Sequence, residues 1–101
     1  MKTLLIDDCR NIEADVIART FDAGIHALKY LGPFDILYLD HDLGEEDGHH
    51  TGYGIITWLE QFPEYLPGEI KIITANPVGL QQMRVVRDKF YAKKGQDNGN
   101  S

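Results

Sequence analysis

Two short apolar runs of this sequence each end in carboxylates. The acidic residues that follow them are Asp7, Asp8, Asp40 and Asp42. If the two runs form neighbouring strands, four like charges share one pocket, which destabilises a fold unless a cation is present. Carboxylates are ligands for Mg²⁺, which also keeps waters and phosphate oxygens around it. These positions predict a site for Mg²⁺ or Mn²⁺ held by the four acids. The alternative is that Asp8 and Asp42 cap turns.

The polar residues near these acids suit an anionic ligand. Arg10 can bind a phosphate through two parallel hydrogen bonds, or it can pair with an acid of the pocket. His41 stands between two acids, where it can donate a proton to a leaving group or act as a hydrogen-bonded structural residue. Thr74 and Asn76 follow a third apolar run, and Asn76 precedes Pro77 in the pattern of a helix start. Arg10, Thr74 and Asn76 are the predicted substrate-binding residues.

Short apolar runs alternate with amphipathic segments along the chain. Buried strands are predicted at residues 4–6, 36–39 and 70–73, with a weaker strand at 16–20. Helices are predicted at about residues 21–31, at about 53–62, and from Asn76 onward. Residues 16–20 could instead belong to a helix that starts near Asn11.

This alternation predicts an α/β domain with a mostly parallel, four-stranded sheet and helices on both of its faces. Residues 8–15 are too few for a crossover helix, so the first helix is expected to be reduced to a loop or turn. The domain is expected to span residues 1–94. Residues 95–101 carry nothing to bury and are predicted to form a disordered tail.

Composition excludes several classes of protein. The 101 residues include 16 acids and 10 Lys or Arg, giving a formal charge of −6, which argues against broad DNA binding. No apolar run approaches the ~20 residues that cross a bilayer. Cys9 has no partner cysteine, as is typical of a reducing compartment, so a cytoplasmic protein is expected. Cys9 itself is interpreted as a small packing residue.

Several motifs carry a resemblance when they are taken together. They are Leu5-Ile6-Asp7-Asp8 with Arg10, Ala18-Arg19-Thr20, Leu39-Asp40-His41-Asp42-Leu43-Gly44, Thr51-Gly52-Tyr53, and Asn76-Pro77 with Gly79. This set resembles the cyclic-phosphate processing receiver-domain family, a variant of the response-regulator receiver fold, over about residues 3–92.

The resemblance implies a receiver-like (flavodoxin-like) three-layer α/β sandwich. It also implies one pocket formed by Asp7, Asp8, Arg10, Asp40, His41, Asp42 and Asn76. Asp40 takes the place of the phosphorylated aspartate of receivers, and Thr74 that of their switch hydroxyl. The sequence departs from ordinary receivers because no fifth strand with the usual lysine is visible, which argues against a phosphorelay switch.

The resemblance further implies a domain that acts on the cyclic phosphate of a nucleotide or an RNA end. Together with the acidic metal pocket, it makes a metal-dependent cyclic phosphodiesterase the first hypothesis. The predicted catalytic residues are Asp40, His41, Asp42 and Arg10. One alternative is a module that binds or sequesters a nucleotide without turnover. Another is a small acidic viral or mobile-element inhibitor that acts by protein–protein interaction. An open sheet edge is expected to allow a homodimer.

Overall fold

The computed structural model describes residues 1–43, 51–74 and 76–99, with residues 92–99 described by their backbone alone. The strands are β1 (Thr3–Ile6), β2 (Val16–Ala18), β3 (Ile36–Leu39) and β4 (Glu69–Ile72). The helices are α1 (Phe21–Tyr30), α2 (Gly52–Gln61) and α3 (Pro77–Gly99), and a single 3₁₀ turn covers Pro63–Tyr65. Each predicted strand and helix is therefore present, including the weakly predicted β2.

The four strands form one parallel sheet in the order β2-β1-β3-β4. Ile6 pairs with Ala18 on one side and with Leu39 on the other. The first and third predicted strands are therefore neighbours, as the shared pocket requires. The carboxyl ends of β1 and β3 meet at the same edge of the sheet, which is where open parallel sheets bind their ligands.

One face of the sheet carries the hydrophobic core. Its strand residues are Leu4, Ile6, Ala18, Leu37, Leu39 and Ile70, and they pack with Ala27 and Leu28 of α1, with Ile55, Ile56 and Leu59 of α2, and with Met83 and Val86 of α3. α2 contacts both other helices. The three helices therefore form a single layer over this face.

The opposite face differs from the expected three-layer arrangement. Its side chains include Leu5 and Tyr38, which are adjacent in the register, and Ile17, which is 45% exposed. The described part of the chain has no helix on this side, because residues 7–15 form a loop where a crossover helix would lie. The receiver-like α/β class and the reduced first helix are confirmed, with the helices gathered on one face.

Local signals set the start of each helix. Thr20 and Thr51 accept hydrogen bonds from the amides of Ala23 and Gly54 in the first turns of α1 and α2. Asn76 does the same for α3. All three are N-caps, and that of Asn76 is predicted from the sequence.

The far end of the chain continues α3. The helix runs to Gly99, whereas the sequence predicts that order ends near residue 94; the domain boundary and the disordered tail stay predictions. Among the described residues, no helix combines the length and apolar character needed to cross a membrane.

Gly52 is a position at which the fold requires a glycine. A Cβ atom there would lie 1.9 Å from the carbonyl oxygen of Asp40, and the Gly52 amide donates to the carbonyl of His41 at 2.8 Å. The first turn of α2 therefore packs directly on the backbone that leaves β3. This contact fixes the segment that carries Asp40 and His41.

We predict that Gly52→Ala lowers the free energy of unfolding by about 3 kcal/mol, because backbone must move to admit the methyl group. Gly54→Ala is the matched control, two residues along the same helix. It should be neutral or stabilising by up to about 1 kcal/mol, since alanine favours helix. Urea unfolding measures both changes, and equal stability of the two variants would contradict the close approach at Gly52.

Candidate acidic site at the ends of β1 and β3

Asp7 and Asp40 lie side by side at the carboxyl ends of adjacent strands. The amide of Asp40 donates to the carbonyl of Ile6 at 3.1 Å, which continues the pairing of β3 with β1 by one residue. The amide of Asp7 donates to the carbonyl of Ala18, also at 3.1 Å. Asp7 is fully buried and Asp40 is 8% exposed. Two carboxylates are therefore held together in a largely water-excluded place.

Asp7 has one satisfied and one unsatisfied oxygen. Its Oδ1 accepts from the amides of Cys9 at 3.0 Å and Arg10 at 3.1 Å, which folds the loop back over the strand end. Its Oδ2 is buried without a hydrogen-bond partner, and the Nε of Arg10 is 3.9 Å away. Buried polar atoms are rarely left unpaired. The free Oδ2 fits a cation ligand.

The chain gathers three potential metal donors here. One side-chain donor atom each of Asp7, Asp8 and Cys9 lies within 4.8 Å of the others. Cys9 is exposed, so its interpretation as a packing residue is wrong. The adjacent Asp8 raises the pKa of the Cys9 thiol, which keeps the sulfur protonated. The two carboxylates suit a hard cation such as Mg²⁺ better than the thiol does.

Asp40 is a strongly constrained carboxylate. Its Oδ1 accepts the amide of His41 at 2.8 Å, and the Thr74 side chain also hydrogen-bonds to it. Burial raises the pKa of Asp40, and the charge of Asp7 raises it further; the bonds from Thr74 and His41 and the charge of Arg10 oppose this. The negative charge on Asp40 therefore lowers the stability of the folded state.

His41 is oriented by its neighbours. Its Nδ1 lies 3.1 Å from Oδ1 of Asp42. A Cβ atom at Gly79 would approach the ring carbons to 2.6 Å, so the imidazole packs against the first turn of α3. When Nδ1 is bound to a carboxylate, the other ring nitrogen, Nε2, is the one available for proton transfer.

Thr74 and Asn76 connect β4 to α3. Oδ1 of Asn76 accepts the amides of Val78 and Gly79, both at 3.1 Å, and the Asn76 amide donates to Oγ1 of Thr74 at 3.1 Å. The cap thus occupies these two amides, so they are not free to bind a phosphate. The positive end of the α3 dipole remains directed at this rim.

Arg19 is a residue whose role the sequence analysis missed. Its Nη1 donates to the carbonyls of Asp7 at 3.2 Å and Arg10 at 2.5 Å, and its Nη2 donates to Asn11 at 2.8 Å. One guanidinium thereby ties the loop after β1 to the end of β2. The available signal was its position directly after a strand.

The predicted site residues make two sets of contacts in the structure. Asp7 and Asp8 lie in one group of donor atoms with Cys9, and Asp40 interacts with Asp7, Arg10 and Thr74. Their roles in binding or catalysis stay predictions. Asp42 is directed to His41 instead, and its role as a metal ligand stays a prediction. The acidic run at 45–47 and the histidines at 49 and 50, which the sequence allows as loop residues, lie outside the described residues.

Comparison with known families finds a match over most of the chain. Residues 2–89 match the family described as the cyclic-phosphate processing receiver domain. The chain belongs to this family. No curated protein and no solved structure matches it. The family match confirms the resemblance seen in the sequence motifs.

The raised pKa of Asp40 gives a prediction with a definite sign. Because the folded state binds this proton more tightly than the unfolded state, Asp40 lowers stability as pH rises through the window from its ordinary value to the raised one. We predict that Asp40→Asn raises the melting temperature at pH 7 in EDTA. The gain should vanish below pH ~3.9, the ordinary pKa of aspartate.

Melting curves of wild type and variant across pH measure this difference. Glu60→Gln, which removes an exposed acid on α2, is the control and should stay within about 0.5 kcal/mol of wild type. A destabilised Asp40→Asn protein at pH 7, or a gain that persists unchanged at low pH, would contradict the prediction.

Arg19 should matter for stability through the loop that it holds. We predict that Arg19→Met lowers the free energy of unfolding by about 1–3 kcal/mol, because three acceptors lose their donor. Arg19→Lys should lose somewhat less stability than Arg19→Met, because an ammonium can still donate to some of the three acceptors but cannot span all of them. Arg84→Met, at an exposed position of α3, is the control in urea unfolding, and a loss equal to that of Arg19→Met would count against the role.

Proposed function

We propose that this receiver domain hydrolyses a cyclic phosphate of a nucleotide or of an RNA end with a bound divalent cation. The observation that carries the proposal is the buried, unpartnered Oδ2 of Asp7 beside the carboxylates of Asp8 and Asp40. The description of the family, cyclic-phosphate processing, supports the substrate class.

The carboxylates of Asp7, Asp8 and Asp40 would hold Mg²⁺ or Mn²⁺. The cation would act as a Lewis acid at the phosphoryl group. Its positive charge would also offset the negative charge of the acidic pocket, which otherwise repels an anionic substrate. Oδ1 of Asp7 is already engaged by two backbone amides, which leaves Oδ2 as the ligand atom. The amides thereby fix the direction in which that oxygen points.

Arg10 and His41 would act on the phosphate itself. The Arg10 side chain is part exposed and only 3.9 Å from Asp7, so its guanidinium can bind the phosphate oxygens and stabilise the charge that develops on them. Water adds to phosphorus and gives up one proton to the surrounding solvent, and one ring P–O bond breaks. His41 donates a proton from Nε2 to the ribose oxygen that leaves, while Asp42 keeps the ring oriented through Nδ1.

The direct test is turnover. Wild-type protein should open cyclic mononucleotides or RNA that ends in a 2′,3′-cyclic phosphate when Mg²⁺ or Mn²⁺ is present, and EDTA should abolish the reaction. We predict that Asp40→Asn reduces product to the level of buffer. His41→Gln should lower kcat by about 10²–10⁴-fold, the usual contribution of a general acid. Chromatography of the products measures both effects.

Glu60→Gln serves as the matched control, because it removes an acid of similar charge far from the site, and it should retain full turnover. If wild type and Asp40→Asn both give no more product than buffer does for every substrate and metal, hydrolysis of these substrates is refuted. Ligand-induced thermal stabilisation without product would instead support a module that sequesters the nucleotide. Partner binding that survives both Asp7→Ala and Asp40→Ala would support an acidic inhibitor protein.

A further inference from the structure

The outer side of β4 is an edge that no described strand pairs. The amides of Glu69 and Ile73 donate to carbonyls on the β3 side, those of Asp35 at 2.9 Å and Leu39 at 3.0 Å. Backbone groups of successive strand residues alternate in direction, so Ile70 and Ile72 turn theirs outward. The Ile70 carbonyl accordingly faces Nη1 of Arg87, 3.5 Å away on α3.

This edge is accessible and electrically balanced. A cavity of about 440 Å³ lies along β4, bounded on the other side by the α3 residues Arg87, Asp88 and Tyr91. The charged residues around it are Glu69, Lys71, Arg87 and Asp88, two acids and two bases. A chain with a formal charge of −6 repels a second copy of itself, and a neutral surface is where that repulsion is weakest.

We propose that two copies of this chain associate through β4, in antiparallel pairing across a two-fold axis. Such an axis makes identical strands run in opposite directions. With the axis at Ile70, the two Ile70 residues exchange amide-to-carbonyl hydrogen bonds, and Arg87 gives up its long contact to that carbonyl. The two four-stranded sheets then continue as one.

Charge complementarity selects this register. With Ile70 on the axis, Glu69 of each copy stands opposite Lys71 of the other, and both side chains are exposed on the same face. Two favourable cross-strand pairs therefore form at once. With Lys71 on the axis, the two lysines would face each other, which destabilises a pair of strands. Pairing of the edge also removes the unpaired strand that otherwise invites aggregation.

The test is a charge exchange on β4. Wild-type protein should form a dimer in sedimentation equilibrium. Glu69→Lys alone and Lys71→Glu alone should each raise the dimer Kd by about tenfold, because like charges replace the cross-strand pairs. The double variant Glu69→Lys/Lys71→Glu should restore the wild-type Kd. An equimolar mixture of the two single variants should form a heterodimer more readily than either forms a homodimer.

These exposed substitutions leave the core and the acidic site in place, and melting curves check that each variant is folded. A wild-type chain that stays monomeric at about 1 mM would overturn the proposal. So would a dimer whose Kd is the same in Glu69→Lys, because that dimer would use another surface. Since β4 carries none of the proposed metal ligands, failure here leaves the turnover test unaffected.

Discussion

The parallel pairing of β1 with β3 is the constraint on which the site depends. It places Asp7 beside Asp40, although two buried carboxylates repel each other. The core residues Leu4, Ile6, Leu37 and Leu39, which are buried on the same two strands, stabilise the pairing and so hold the acids together. Burial raises the pKa of Asp40, and the charge of Asp7 raises it further, so ionised Asp40 lowers the stability of the fold.

The surrounding polar contacts stabilise the two carboxylates. Backbone amides of the loop after β1 satisfy one oxygen of Asp7, while Thr74 and the His41 amide satisfy Asp40. Arg19 holds that loop in place from the end of β2. Among the described residues, Oδ2 of Asp7 is a buried side-chain oxygen left without a hydrogen-bond partner. The donor group to which Asp7 belongs could hold a metal ion.

Sequence reasoning was accurate where the signal is local. Continuous apolar runs identified β1 and β3, and Asn76 before Pro77 marked the start of α3 because its side chain caps the turn that follows it. It was wrong about Cys9, whose exposure depends on how the loop folds over Asp7. It also assigned no role to Arg19, because hydrogen bonds to distant carbonyls leave no periodic pattern in a sequence.

The sequence by itself determined the α/β class, the elements and the acidic residues at the strand ends, since these follow from periodicity, capping and the position of polar residues after apolar runs. Only the tertiary structure decided that all three helices cover one face, because that depends on the strand order and the direction of each crossover. It likewise directed Asp42 toward His41 rather than toward the other carboxylates. Side-chain direction depends on packing partners that are far apart in the chain, such as Gly79 against the His41 ring.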